Sequence, residues 1–265
     1  MRKKLENALI AIAFIALALF IVKNGGAVRL GRAVRLIESE ALNKRIFSKA
    51  QSFEKTESAK ITLYYNAKDK AYAEFTLNNL DFFFGLLIKD FNLPEESRAV
   101  CVLYPDSLSM QNALGIAYES PPMGVYYGGV VNLLSPTEWI GESGEARIKE
   151  LFLKDGPMLH ELSHLALDMK TRGNYPVWLT EGAALYYENK YTGFEWRKDL
   201  AAQSARLSPE LLFENFKGID ESLAYRKAYD IVAEFSDKYG EGALLKVFAF
   251  LGEGGQVAEV NEVFR

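Results

Sequence analysis

Two neighbouring stretches decide how this chain reads: Met158-Leu159-His160-Glu161-Leu162-Ser163-His164-Leu165-Ala166-Leu167-Asp168-Met169, and Pro176-Val177-Trp178-Leu179-Thr180-Glu181-Gly182-Ala183-Ala184-Leu185-Tyr186-Tyr187-Glu188. The first is rich in helix formers and follows Asp155-Gly156-Pro157, a sensible helix start with proline in the opening turn. Residues four apart on a helix lie one turn above each other, so His160 and His164 project from one face and can share a metal ion. Glu161 is rotated by about 100° from His160, which puts its carboxylate beside a metal-bound water and outside the ligand set. The chain has only 2 histidines, and both fall in this pentad. That weighs against a chance pattern, although a pair of surface histidines on a helix is the bland alternative.

A catalytic zinc site needs a third protein ligand and an open fourth position. Glu181, 17 residues after His164, is the best candidate, on a second segment whose Ala, Leu and Tyr content suits a helix. Gly182, Ala183 and Ala184 are expected to let that helix approach the pentad helix closely. Glu188, two turns on, is the fallback ligand and reads more naturally as a solvated or outer-sphere acid. With zinc lowering the pKa of its water toward about 7, Glu161 accepts the proton as the water attacks a carbonyl.

The pattern His-Glu-Leu-Ser-His-Leu followed by Pro-Val-Trp-Leu-Thr-Glu-Gly-Ala-Ala-Leu-Tyr resembles the peptidase MA-like gluzincins, zinc metallopeptidases with a His, His, Glu site. The likeness runs from about Ile61 to the C-terminus, and only these two segments are highly specific. The resemblance implies one zinc ion per chain, a peptide or protein substrate, and an edge strand beside the metal that pairs with extended substrate. Tyr127 to Leu133, with Gly128 and Gly129 allowing close approach, is similar to that strand; an ordinary glycine turn is the alternative. Asp168 also fits the family pattern, with an outer-sphere role or a plain helix-surface position as its two readings. Downstream, Leu223 to Tyr229 resembles the helix that supplies an oxyanion donor, which makes Tyr225 the first choice and Tyr229 the second, against a packing role for either.

Around this centre the order of elements is strand (60–65), helix (67–91), strand (98–104), short helix (107–114), a turn-rich stretch closing on the strand Val130-Val131-Asn132-Leu133-Leu134, and helices from Glu145 onward. The fold class expected is α+β: a small N-terminal sheet-plus-helix half and a helical C-terminal half, gluzincin-like, over residues 59–265. Residues 27–58 read as a helical stalk. Cys101, the single cysteine, sits in an apolar run and reads as a core residue, which excludes an intrachain disulfide and a cysteine-ligated metal.

Ala8 to Val22 has no polar residue and is flanked by Arg2-Lys3-Lys4 and Lys23, so residues 1–26 read as a membrane-targeting segment. An uncleaved single-pass anchor is favoured over a cleaved signal peptide, which would make the protein secreted. After Arg35 come 24 of the 31 basic and 34 of the 35 acidic residues, a net of −10 over the folded part. Such an acidic body argues against a nucleic-acid partner. The function expected is zinc-dependent peptide-bond hydrolysis at a membrane. The alternatives are a catalytically silent gluzincin-fold binding or scaffold module, and a metal hydrolase acting on a non-peptide amide or ester.

Overall fold

Along Ala99–Tyr104 the side chains alternate between two faces, and both faces are buried: Ala99, Cys101 and Leu103 enter one apolar cluster while Val102 and Tyr104 enter another. A strand covered on both sides belongs in the middle of a sheet. The computed structural model describes residues 44, 46, 48, 52–117, 121–142 and 144–265. Among them are five strands, β1 (Glu54–Glu57), β2 (Ile61–Tyr65), β3 (Ala99–Tyr104), β4 (Gly124–Tyr127) and β5 (Val130–Leu134), arranged in the order β1-β2-β3-β5-β4. The central pairs β2/β3 and β3/β5 are parallel, and the flanking pairs β1/β2 and β5/β4 are antiparallel. Register carries the core across the sheet, since Leu63 pairs with Cys101 and Cys101 with Val131, all three fully buried.

The parallel link from β2 to β3 is made by α1 (Lys70–Asp90). Its buried residues Leu77, Leu80, Phe84 and Leu87, continued by Phe91, recur at alternating intervals of three and four and form one apolar stripe. The other sheet face is covered by α2 (Ser107–Leu114), where Met110, Ala113 and Leu114 meet Val102, Tyr104, Val130 and Ile46.

The helical half comprises α3 (Glu145–Asp155), α4 (Met158–Thr171), α5 (Val177–Thr192), α6 (Pro209–Asn215), α7 (Glu221–Tyr239), α8 (Glu241–Gly252) and α9 (Val257–Val263), with single turns between some of them. Helix α4 is the inner one, packed against α1, α5, α8 and the β4-β5 hairpin. Phe91 stacks on Phe248 of α8 with centroids 5.5 Å apart, and tilts against Tyr187 of α5 at 4.7 Å. The start of α5 is held by Trp178, buried against Phe213 and Phe264, with its Nε1 donating to Asn261 at 3.1 Å.

The α+β class and the division into a sheet half and a helical half are as expected. Cys101 is free and buried. Two strands were not foreseen. β1 falls inside the 27–58 stretch expected as a stalk, and Ile46 of that stretch packs on the sheet, so the domain reaches further upstream than residue 59. β4 lies in the turn-rich stretch. The apolar run of residues 8–22 lies outside the described residues. No helix among the described residues is long and apolar enough to cross a membrane.

Candidate metal centre

Helix α4 begins at Met158 directly after Pro157, and its buried Leu159, Leu162, Leu165 and Ala166 seat it between the sheet and α5. That seating turns the remaining edge, with His160 and His164, toward Glu181 on α5. His160 Nε2 and His164 Nε2 are 3.1 Å apart, and Glu181 Oε2 lies 3.6 Å from the first and 3.5 Å from the second. These three side chains form the one His/Cys/Asp/Glu group among the described residues able to hold a metal ion.

The outer nitrogens explain why the inner ones face each other. Glu188 Oε2 lies 3.3 Å from His160 Nδ1, and Thr180 Oγ1 lies 2.7 Å from His164 Nδ1. A carboxylate can only accept, so Glu188 holds a proton on His160 Nδ1, and loss of the Nε2 proton to an incoming metal ion would leave that nitrogen's lone pair directed inward. An outer partner that fixes tautomer and ring angle in this way is a regular companion of a metal-ligating histidine. Glu188 therefore stands behind His160, outside the ligand group. Thr180, absent from the sequence-based candidates, stands behind His164 and holds its ring angle, its hydroxyl able to donate or accept.

Charge compensation follows the same geometry. Burial opposes a charge on His160, yet hydrogen bonds with Glu181 and Glu188 carry its pKa well above the ordinary imidazole value. Burial likewise opposes the Glu181 carboxylate, but His164 and His160 hold it far below the usual range. The pocket thus favours an anionic Glu181 with positive charge next to it.

Glu161 is 6 % exposed, on the side of α4 that faces the sheet edge. Its Oε2 accepts the Tyr126 N–H of β4 at 2.5 Å. Burial raises its pKa; the two histidines and the Tyr126 N–H pull the other way, and Glu181 adds to the rise. Close seating of β4 is possible because residue 124 is glycine: a Cβ there would come 2.7 Å from Pro157 Cβ and 2.8 Å from Glu161 Cγ.

Gly128 and Gly129 have a different place. With φ of 62° and 85° they are the two-residue turn of the β4-β5 hairpin, between the paired Tyr127 and Val130. Positive φ at both positions is what such a turn demands. A Cβ on Gly129 would meet nothing within 4 Å, so no close approach occurs there. The strand expected over Tyr127 to Leu133 is split by that turn, β5 is internal, and the edge strand is β4. Gly124 is the glycine that matters for proximity.

Asp168 bonds neither imidazole. Its Oδ2 accepts from Tyr126 Oη at 2.9 Å and its Oδ1 from Tyr175 Oη at 3.1 Å. The Tyr126 ring lies over His164 with centroids 6.5 Å apart and planes 21° apart. Burial first, then Asp168, pushes the Tyr126 phenol up, so it remains a neutral donor.

Tyr225 on α7 is close enough to the centre to feel its charge: burial raises its phenol, and the Glu181 carboxylate adds to the rise. Tyr229 turns away, its ring under the Arg226 guanidinium at 5.1 Å. Gly182 also departs from expectation. A Cβ at that position would lie 2.4 Å from the Ala228 carbonyl oxygen, so this small residue admits α7 and not α4.

No protein-family profile matches the chain, and no curated protein matches it.

Proposed function

We propose that this protein is a zinc-dependent peptidase of the gluzincin type, tethered to a membrane by its N-terminal apolar segment, with His160, His164 and Glu181 as metal ligands. The observation that carries the reading is the triangle of 3.1, 3.5 and 3.6 Å between the three inward donor atoms. Donors about 2.0–2.2 Å from one tetrahedral ion are separated by roughly 3.3–3.6 Å; both carboxylate–imidazole separations lie in that range, and the two imidazole nitrogens, at 3.1 Å, need part by only about 0.2 Å to hold zinc. Two imidazoles and one carboxylate suit zinc better than magnesium or calcium, which prefer oxygen throughout.

Zinc bound there would supply the Lewis acidity that activates a water and polarises the carbonyl it attacks. The protein's own groups would do the rest. Glu161 has one carboxylate oxygen held by the Tyr126 N–H, which leaves the other to accept a proton from the attacking water and to deliver it to the departing amine nitrogen. Tyr225, neutral and next to Glu181, is a donor for the carbonyl oxygen as negative charge develops on it. Peptide in extended form would lie along β4, the edge strand beside Glu161.

Glu161→Gln tests the reading. It should bind zinc at about one ion per chain and lose peptide hydrolysis by about 100-fold or more, the usual worth of a positioned general base. A chelator should abolish wild-type activity and added zinc restore it. Full hydrolysis in Glu161→Gln would remove Glu161 from the mechanism. Zinc binding by a wild-type protein that cleaves no peptide pool would favour the silent-module reading.

A further inference from the structure

Tyr126 touches α4 at three levels. Its backbone N–H reaches Glu161 Oε2, its ring lies over His164, and its hydroxyl reaches Asp168 Oδ2. Glu161 and Asp168 are seven residues apart on one helix, about 10 Å along its axis. A single side chain with its own amide therefore spans two turns of the helix that carries the metal ligands. The geometry points to Tyr126 as a positioning residue for Glu161, with the Tyr126–Asp168 hydrogen bond as the clamp that keeps the edge strand in the register where its amide meets the carboxylate.

The argument begins with the strand. β4 is four residues long and pairs with β5 on one side only, so its outward N–H groups have no neighbouring strand to receive them. At Tyr126 that outward N–H is given to a carboxylate. This fixes one Glu161 oxygen and, with it, the direction of the other. A bond of this kind needs the strand to stay within a few tenths of an ångström of the helix, and the hairpin tip at Gly128-Gly129 is open on its outer side: Tyr127 is 42 % exposed and a Cβ on Gly129 meets nothing within 4 Å. The phenol supplies the hold. Asp168, anchored from its other side by Tyr175, presents a fixed acceptor, and Gly124 removes the one Cβ that would keep strand and helix apart.

The inference rests on the peptidase reading of the same site, and two kinds of measurement separate its failure from that reading's failure. The first needs no substrate. In the full-length protein, hydrogen exchange of the residue 126 amide should be slow for an edge-strand N–H pointing away from its sheet. It should speed up about tenfold or more in Tyr126→Phe and in Asp168→Ala, and much less in Asp168→Asn, whose amide oxygen still accepts. The second uses a pool of internally quenched fluorogenic peptides on the zinc-loaded protein. Tyr126→Phe should lower kcat by about tenfold or more while KM stays within about twofold, because a displaced base weakens the transition state and not substrate binding. Zinc content should remain one per chain, and the visible absorption of the cobalt-substituted protein should be unchanged. Asp168→Ala should reproduce the loss and Asp168→Asn should recover most of it; this pair decides the matter if Tyr126→Phe fails to fold.

Unchanged amide exchange in both Tyr126→Phe and Asp168→Ala would overturn the clamp. So would a fall in kcat accompanied by loss of zinc or an altered cobalt spectrum, which would show Tyr126 acting on His164 through its ring. If the wild-type protein cleaves nothing, the peptidase reading fails, and the exchange data still settle whether Tyr126 holds Glu161.

Discussion

Asp69 shows how a single buried group sets a pH dependence away from the candidate metal centre. It is 2 % exposed, its Oδ1 accepts from Ser135 Oγ at 2.5 Å, and its Oδ2 has no partner. Burial raises its pKa above the ordinary 3.8, and the Ser135 hydroxyl offsets part of the rise. A carboxyl whose folded pKa is raised stabilises the native state fully below its unfolded pKa, and that contribution is lost as pH climbs through the folded value. At neutral pH the Asp69 charge therefore costs stability. Asp69→Asn keeps the Oδ1 acceptor and removes the charge, so it should gain on the order of 1 kcal/mol at pH 7, with the advantage vanishing toward pH 3. Urea midpoints at the two pH values check this, and an equal gain at both would refute it. The residues of the candidate centre differ in how visible they are from sequence. His160, Glu161 and His164 are legible because a four-residue helical spacing is covalent arithmetic, and Glu181 because a second acid-bearing helix follows closely. Thr180 and the Tyr126 amide are not legible: a hydroxyl bonding a ring nitrogen across helices, and a main-chain N–H aimed at a carboxylate, leave no mark on residue type.

Elements tell the same story through their packing partners. β2, α1, β3 and β5 were readable because each has a long apolar pattern, whereas β4 is four residues, Gly-Val-Tyr-Tyr, whose strand identity comes from pairing with β5. Gly182 is a close-approach residue whose neighbour is α7 and not α4, since a glycine on a helix announces contact without saying with whom. The structure makes that contact testable. A Cβ at 182 would lie 2.4 Å from a backbone oxygen of α7, which cannot move as a side chain can. Gly182→Ala should therefore lose about 1–3 kcal/mol, with overpacking outweighing the helix-propensity gain of under about 1 kcal/mol. Gly242, in the first turn of α8, has nothing within 4 Å of an added Cβ. Gly242→Ala should be neutral or stabilising by roughly 0.5 kcal/mol. Denaturation midpoints moving in the same direction for both variants would contradict the assignment of α7 as the tight neighbour.

At the scale of the whole molecule the candidate centre lies where α4, packed on the β4-β5 hairpin, α1 and α8, meets α5, packed on α7. Glu161 and the two histidines come from α4, Thr180, Glu181 and Glu188 from α5, and Tyr225 from α7. Two of these acids, Glu161 and Glu188, are under 9 % exposed, and Glu181 is only slightly more open, in a protein whose folded part is already acidic. A divalent cation at this point would offset buried negative charge and cross-link α4 to α5, neither of which the unfolded chain can reproduce. The ligand-linked gain is RT ln(1 + [Zn]/Kd), about 2.7 kcal/mol at 100-fold excess over Kd. For a chain of 265 residues that corresponds to a rise in Tm of roughly 5–10 °C. Scanning calorimetry of the chelator-treated protein with added zinc should show this rise, and magnesium at the same concentration should not, since two imidazoles are poor ligands for it. Glu181→Ala should lose most of the zinc-dependent rise. Glu161→Gln, outside the ligand group, should keep it. An equal zinc response in Glu181→Ala and wild type would mean that the carboxylate of α5 is not a ligand, and the link between the two helices would then have to be sought in the hydrogen bonds of Glu188 and Thr180 alone.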